Sequence, residues 1–238
     1  MDSLLKCIDV WKSFGGFDAL RGVNIEVYGG EIVGLIGPNG AGKTTLLNLI
    51  NGVLKPTKGK IVFNGHVING KKPHNVCKLG IGRVFQIPRP FFEMSCVENV
   101  VTALLFNITH SKHSVEEKAI ELLEFVGITD PSATPDAITL QDKRRLEMAR
   151  ALATNPRLIL ADEYMAGLNP SEVKDALKLF KRVKEELGIT ILWVEHVMHA
   201  IMGLADRVIV LDHGVKIAEG KPSEIVKHKK VIEAYLGG

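Results

Sequence analysis

Cysteine is scarce in this chain: there are three in 238 residues, Cys7, Cys77 and Cys96. They are odd in number, widely spaced and form no CxxC pair. That excludes a disulfide framework and makes a reducing cytosol the simpler setting. A surplus of charge of one sign is also missing. Thirty Lys and Arg against 27 Asp and Glu leave +3, too weak a balance to argue for nucleic acid or an anionic membrane, whatever a local basic patch does. No internal repeat or low-complexity tract is present. The N-terminus, Met1 to Lys6, lacks the long apolar core of a signal peptide. The most apolar stretch, residues 189–211, carries Glu195, His196, His199 and Asp206, which makes it a poor membrane span. With no span of its own, the chain would serve a membrane only from outside the bilayer.

Hydrophobic residues make up 46% of the chain, enough to bury a sizeable core in one large domain or a domain with a lobed insertion. Residues 23–28 alternate as a half-buried strand, and short apolar runs at 32–36, 60–63, 81–85, 158–161, 189–194 and 207–211 read as further strands. A helix runs from about Thr44 to Asn51 and ends at Gly52. Between about 88 and 152 the pattern turns helical, with helices at 115–126 and 143–152 and breaks at Pro131 and Pro135. Asn169-Pro170-Ser171-Glu172 opens a helix with a cap residue, a proline in the first turn and an acid after it. Its expected apolar face is Val173, Leu177, Phe180, Val183 and Leu187, and Gly188 stops it. Asp212-His213-Gly214 is a turn signal. Strands alternating with helices predict an α/β core with a largely parallel sheet, the helical tract forming its own lobe.

Gly37-Pro38-Asn39-Gly40-Ala41-Gly42-Lys43-Thr44 fits the pattern G-x-x-x-x-G-K-[ST] at every fixed position. Each residue type has a chemical reason. Gly40 and Gly42 let backbone N–H groups close around phosphate oxygens, and the following helix adds its positive end. Lys43 supplies a point charge for the β- and γ-phosphates of ATP. Thr44 supplies a hydroxyl ligand for Mg²⁺, with Thr45 close by. A chance glycine-rich turn would not carry the expected strand before it and helix after it.

A second motif completes the chemistry. The apolar run Leu158-Ile159-Leu160-Ala161 ends in Asp162 and Glu163. Acids at the end of a buried strand are costly unless they meet a cation. With a phosphate loop in the same chain, Asp162 is expected to hold Mg²⁺ and Glu163 to orient and polarise the attacking water.

In order and over essentially the whole chain, 1–238, these motifs resemble those of ABC ATPases, the nucleotide-binding subunits of ABC transporters. The resemblance implies a P-loop NTPase core with an N-terminal antiparallel β subdomain. It also implies an inserted helical subdomain at about 88–152 that carries the family's signature region. Gln86 matches the Q-loop glutamine, which in the family contacts Mg²⁺ and the attacking water. His196 matches the switch histidine that contacts the γ-phosphate, and Phe14 matches the aromatic that stacks on adenine, with Phe17 as a rival. Three stretches resemble one branch, the ATPases of branched-chain amino acid importers: Arg83-Val84-Phe85-Gln86 with Arg89-Pro90-Phe91, Ala166-Gly167-Leu168-Asn169-Pro170, and Glu195-His196 followed by Met202-Gly203-Leu204-Ala205-Asp206-Arg207. ATPases for lipopolysaccharide export share part of this pattern, including the tail at 231–237.

The chain departs from the family at the signature. The usual Leu-Ser-Gly-Gly-Gln is here Ile138-Thr139-Leu140-Gln141-Asp142. In the family this segment completes the ATP site of a partner subunit. Thr139 keeps a hydroxyl, whereas Gln141 replaces a glycine, so its side chain would either crowd the γ-phosphate or donate an amide N–H to it. Asn169 replaces the usual D-loop aspartate, and Tyr164 the proline after the catalytic acid. The Lys143-Arg144-Arg145 run reads as a solvated helix face in preference to a nucleic-acid contact. The implied partners are a second ATPase subunit, identical or not, met head to tail, and integral membrane permease subunits. The implied place is cytoplasmic, peripheral on the inner face of the cell membrane. A soluble ABC ATPase of an assembly pathway, such as iron–sulfur cluster assembly, and a weakly hydrolysing nucleotide switch are the competing readings.

Overall fold

Three five-residue stretches, Ile32–Ile36, Leu158–Asp162 and Thr190–Val194, are buried along their whole length, as strands covered on both faces must be. They form the middle of a six-stranded sheet in this computed structural model, which describes residues 3–106 and 112–236. The strands are β1 (Ser3–Phe14), β2 (Phe17–Tyr28), β3 (Ile32–Ile36), β4 (Lys58–Phe63), β5 (His66–Val67), β6 (Ile81–Val84), β7 (Leu158–Asp162), β8 (Thr190–Val194), β9 (Arg207–Asp212) and β10 (Val215–Gly220). The helices are α1 (Lys43–Ile50), α2 (Pro73–Lys78), α3 (Cys96–Leu105), α4 (Lys112–Val126), α5 (Leu140–Ala153), α6 (Pro170–Leu187), α7 (Met198–Leu204), α8 (Pro222–Ile225) and α9 (Lys229–Leu236).

The large sheet has the order β10-β9-β3-β8-β7-β6. All its pairs are parallel except β9 with β10. A second, antiparallel sheet, β2-β1-β4-β5, lies at the N-terminal side of the chain. Successive side chains of a strand point to opposite faces, and the two cores follow that rule. Val33, Leu35, Leu158, Leu160, Leu192 and Val194 pack with α1 and the antiparallel sheet. Ile32, Ile36, Ile159, Ala161, Ile191 and Trp193 pack with residues of α3 to α7. Because β3, β6, β7 and β8 run parallel, their C-terminal ends lie along one edge. Everything that follows those strands is delivered there.

The fold matches the expected α/β core with its antiparallel and helical additions. Several boundaries differ for physical reasons. β2 begins at Phe17, six residues before the expected strand. β1, β5 and β10 were not legible: β1 is broken by register shifts between Cys7 and Val10 and again near Lys12, which disrupt its alternation. The expected apolar face of α6 is corrected: Ala176 and Leu179 are buried with Val173, Phe180 and Val183, whereas Leu187 is 44% exposed. α5 starts at Leu140, three residues before the expected helix, because Thr139 caps it. The Thr139 hydroxyl accepts from Asp142 N at 3.1 Å. The apolar tract 189–211 is not one element but β8, α7 and β9.

Candidate functional site

The turn from β3 into α1 needs glycine at two places. Gly37 has φ 151°, and a Cβ there would lie 2.0 Å from the Leu211 carbonyl oxygen. Gly42 has φ 100°, and its Cβ would meet Ala19 O at 2.7 Å. Gly42 also caps α1 without offering a side chain, which leaves the first-turn N–H groups directed out of the helix end. Lys43 folds back over the loop, its Nζ donating to Gly37 O at 2.7 Å and Pro38 O at 2.9 Å. Burial lowers its pKa, opposed by the charges of Glu163 and Asp162. Around this loop lies a cleft of about 340 Å³ lined by Phe14, Phe17, Ala19, residues 39–45, Glu163 and His196. Both aromatic candidates therefore face the cleft, Phe14 46% and Phe17 65% exposed, with Lys12 Nζ 4.8 Å from the Phe14 ring centroid.

The ends of β6, β7 and β8 supply the acids and their partners. Asp162 is 6% exposed and its Oδ2 accepts from Arg83 Nη2 at 2.9 Å. Burial raises the Asp162 carboxyl above its ordinary value, with Arg83 pulling the other way. At Glu163 the backbone turns left-handed, φ 47°, a conformation that costs an L-residue on the order of 1–2 kcal/mol. The turn is pinned by Glu163 N donating to Val194 O at 2.8 Å. The side chain then lies between two others. Gln86 Nε2 donates to Glu163 Oε2, and His196 Nε2 is 2.9 Å from Glu163 Oε1. Strain at a residue so partnered is common at functional sites.

Other residues hold this arrangement and were not read as doing so. Glu195 is 2% exposed. Its Oε1 accepts from His196 N at 3.0 Å and its Oε2 from Met165 N at 3.1 Å, joining the end of β8 to the turn after Glu163. Arg144 is not part of a solvated face. It is 3% exposed and donates to Phe85 O at 2.9 Å and Ala166 O at 3.1 Å. An acid directly after an apolar strand and an arginine on the core stripe of a helix were the available signals. Tyr164 is 1% exposed and packs on Phe180 at 5.0 Å between ring centroids, so it fills core where the family's proline would leave room.

The signature segment sits apart from the chain's own phosphate cleft. Thr139 caps α5 and its hydroxyl donates to Asp142 Oδ2 at 2.8 Å. The Gln141 side chain lines a cavity with Tyr164, Asp175 and Leu179, and its buried Nε2 lies beside the Asp175 carboxylate. In this chain its amide lies against α6. Asn169 caps α6, its Oδ1 accepting from Ser171 N at 2.9 Å and Glu172 N at 3.1 Å.

The donor set tests for a divalent cation. Thr44, Gln86 and Asp162 offer hydroxyl, amide and carboxylate oxygens, the ligand type of Mg²⁺. Among the described residues no group of three or more His, Cys, Asp and Glu could hold a metal. Mg²⁺ takes one or two carboxylates together with phosphate oxygens.

The ABC transporter family model matches residues 20–166, and one for branched-chain amino acid ATP-binding cassette transporters matches residues 215–238. The chain is 37% identical to the high-affinity branched-chain amino acid transport ATP-binding protein BraF of Pseudomonas aeruginosa, over 98% of each chain. It is similar, with a TM-score of 0.89 and 33% identity over 100% of both chains, to an ATP-binding cassette of an ABC transporter solved in its ADP conformation. It is also similar to a dimeric ATP-binding cassette in a post-hydrolysis state bound to ADP and Pi. There the TM-score is 0.83 and the identity 30%, over 92% of this chain and 98% of that one.

Proposed function

Because this chain belongs to the ABC transporter family and is related to the ATPases of branched-chain amino acid importers, we propose that it hydrolyses ATP to power such an importer, for branched-chain amino acids or a related small polar solute. One observation carries the reading. The Glu163 carboxylate is held between Gln86 and His196 at the edge of the phosphate cleft.

On this reading Lys43 and the first-turn N–H groups of α1 bind the β- and γ-phosphates, residues 37–45 form the cradle, and Phe14 stacks on the adenine. Glu163 orients and polarises the attacking water. The water oxygen bonds to the γ-phosphorus as the bond to the β-phosphate oxygen breaks, and ADP leaves with that electron pair. Lys43 and His196 stabilise charge on the transferring group. Thr44, Gln86 and Asp162 would hold Mg²⁺, which neutralises phosphate charge when bound. Both Glu163 oxygens are engaged by Gln86 and His196. Each oxygen keeps a second lone pair with which to accept from the attacking water.

The site is half of a shared one. A second ATPase subunit, identical or not, meets this one head to tail, each Thr139–Gln141 segment facing the other's ATP. The dimeric cassette bound to ADP and Pi supports that arrangement. The helical lobe at about 88–152 meets the permease, and Gln86 links it to the ATP site. No helix among the described residues is long and apolar enough to cross a membrane. The family relation supports a peripheral place on the cytoplasmic face of the cell membrane.

Glu163→Gln tests the reading. The variant should bind ATP with parental affinity, accumulate as a dimer with ATP, and lose turnover. Turnover at the parental rate would remove Glu163 from the role.

A further inference from the structure

The loop that carries Gln86 is gripped at both ends by one stripe of α5. Arg144, Glu147 and Arg150 recur at three-residue intervals, so successive members are neighbours on the helix surface. Arg144 Nη1 donates to Phe85 O at 2.9 Å, and Phe85 N donates to Glu147 Oε2 at 3.2 Å. Arg150 Nη1 donates to Arg89 O at 2.7 Å, and the Arg89 N–H is directed at the same Glu147 carboxylate. Both backbone groups of Phe85 and the Arg89 carbonyl are thus held by side chains of one helix. Gln86 hangs between them and donates to Glu163. Glu147 is 5% exposed, and its neighbours Leu146, Met148 and Ala149 are all buried apolar residues. A carboxylate in such a place is costly unless it makes specific bonds.

We propose that Glu147 is a positioning residue for hydrolysis: its carboxylate ties the Gln86 loop to α5, and the loop is set for turnover only while that carboxylate is ionised. The inference rests on the ATPase reading above for its effect on turnover, but not for the clasp itself.

The surroundings explain why the charge state matters. Arg144 and Arg150 face Glu147 from its own helix, Arg83 from β6 and Tyr164 from the turn after β7. Arg89 of the loop and His74 and Cys77 of α2 line the same groove. Arg83 is already paired with Asp162. Burial pushes the Glu147 carboxyl up to about 7, against the pull of the Phe85 and Arg89 amides and of Arg150 and Arg144. Ionised, the group accepts the Phe85 amide as a charge-assisted bond and draws the Arg89 N–H toward it. Protonated, it loses the charge that strengthens those contacts and accepts more weakly.

The test uses the full chain and two readouts. Hydrogen exchange of the Phe85 amide is followed by NMR from about pH 6 to pH 8.5, corrected for intrinsic exchange. Mg-ATP turnover is measured over the same range for the parent and Glu147→Gln. Protection of the Phe85 amide should fall about tenfold toward low pH, with a midpoint near 7. The parent's kcat should fall with that midpoint while KM for ATP holds. Glu147→Gln should show low, pH-independent protection, and at pH 8.5 a kcat reduced about tenfold. Parental kcat and pH profile in Glu147→Gln overturn the proposal. So does pH-independent protection in the parent, which decides the matter even if the variant fails to fold. Titrating protection in a parent with no turnover at any pH would leave the clasp standing and sink the ATPase reading.

Discussion

Arg83 on β6 and Asp162 at the end of β7 form a buried ion pair, Nη2 to Oδ2 at 2.9 Å, with side chains 9% and 8% exposed. The same guanidinium donates to Asn48 Oδ1 on α1 at 2.6 Å. One side chain therefore ties the strand leading to Gln86, the helix after the phosphate loop and the acid assigned to Mg²⁺. Burial pushes the Asp162 carboxyl up and the Arg83 guanidinium down, and each partner opposes the shift of the other.

Arg83→Met should leave Asp162 buried without its partner and destabilise the fold by about 3–5 kcal/mol, read from urea unfolding. The double variant Arg83→Met with Asp162→Asn should recover much of that loss. In the single variant the Asp162 carboxyl rises further. Mg²⁺-dependent ATP binding should then be lost at a higher pH than in the parent as pH falls. Identical pH profiles would count against the pairing as the control on Asp162.

Gly37→Ala and Gly40→Ala should separate folding from binding. A Cβ at Gly37 lands 2.0 Å from Leu211 O, whereas at Gly40, φ 78°, it meets nothing within 4 Å. Gly37→Ala should cost roughly 4 kcal/mol or more. Gly40→Ala should cost on the order of 1–2 kcal/mol from its positive φ and weaken ATP binding. Thermal and urea unfolding alongside ATP titration check both.

Phe14→Ala should weaken ATP binding by about 1–3 kcal/mol if its ring stacks on the base, with Phe17→Ala having the smaller effect. Titration with a fluorescent ATP analogue reads both variants. A larger loss at Phe17 would transfer the adenine contact to it.

Glu147 sets a pH dependence of stability with a definite sign. Its carboxyl is raised from 4.5 to about 7 in the folded chain. Between those values the folded state holds more protons than the unfolded one, so stability falls as pH rises through that window. Glu147→Gln removes the titration. The stability of Glu147→Gln relative to the parent should therefore grow by on the order of 3 kcal/mol between pH 5 and 8. Urea midpoints at the two pH values check it. A variant that gains stability while losing turnover is the pattern expected of a group kept for function.

Much of the fold was legible because its strands are short, apolar and punctuated. The runs at 32–36, 158–161 and 207–211 lie within strands that start at the same residues, since strands buried on both faces leave no other residue types in place. Asn169, Pro170 and Gly188 mark the ends of α6 as expected. β1 was hidden because its bulges break the alternation. α3 was not separated from the helical tract around it, although Ser95 and Glu98 form a capping box at its start.

The amino-acid sequence by itself determined the phosphate loop, the acids at the end of β7 and the order of the motifs. Those depend on local backbone needs and residue chemistry that a linear pattern carries. Only the tertiary structure decided which side chains meet. Gln86 and His196 reach Glu163 because β6 and β8 flank β7 in a parallel sheet. Arg144, expected on a solvated face, is instead buried and with Glu147 grips the Gln86 loop. Contacts between residues 59 to 77 positions apart are set by strand order and helix packing, which no local pattern encodes.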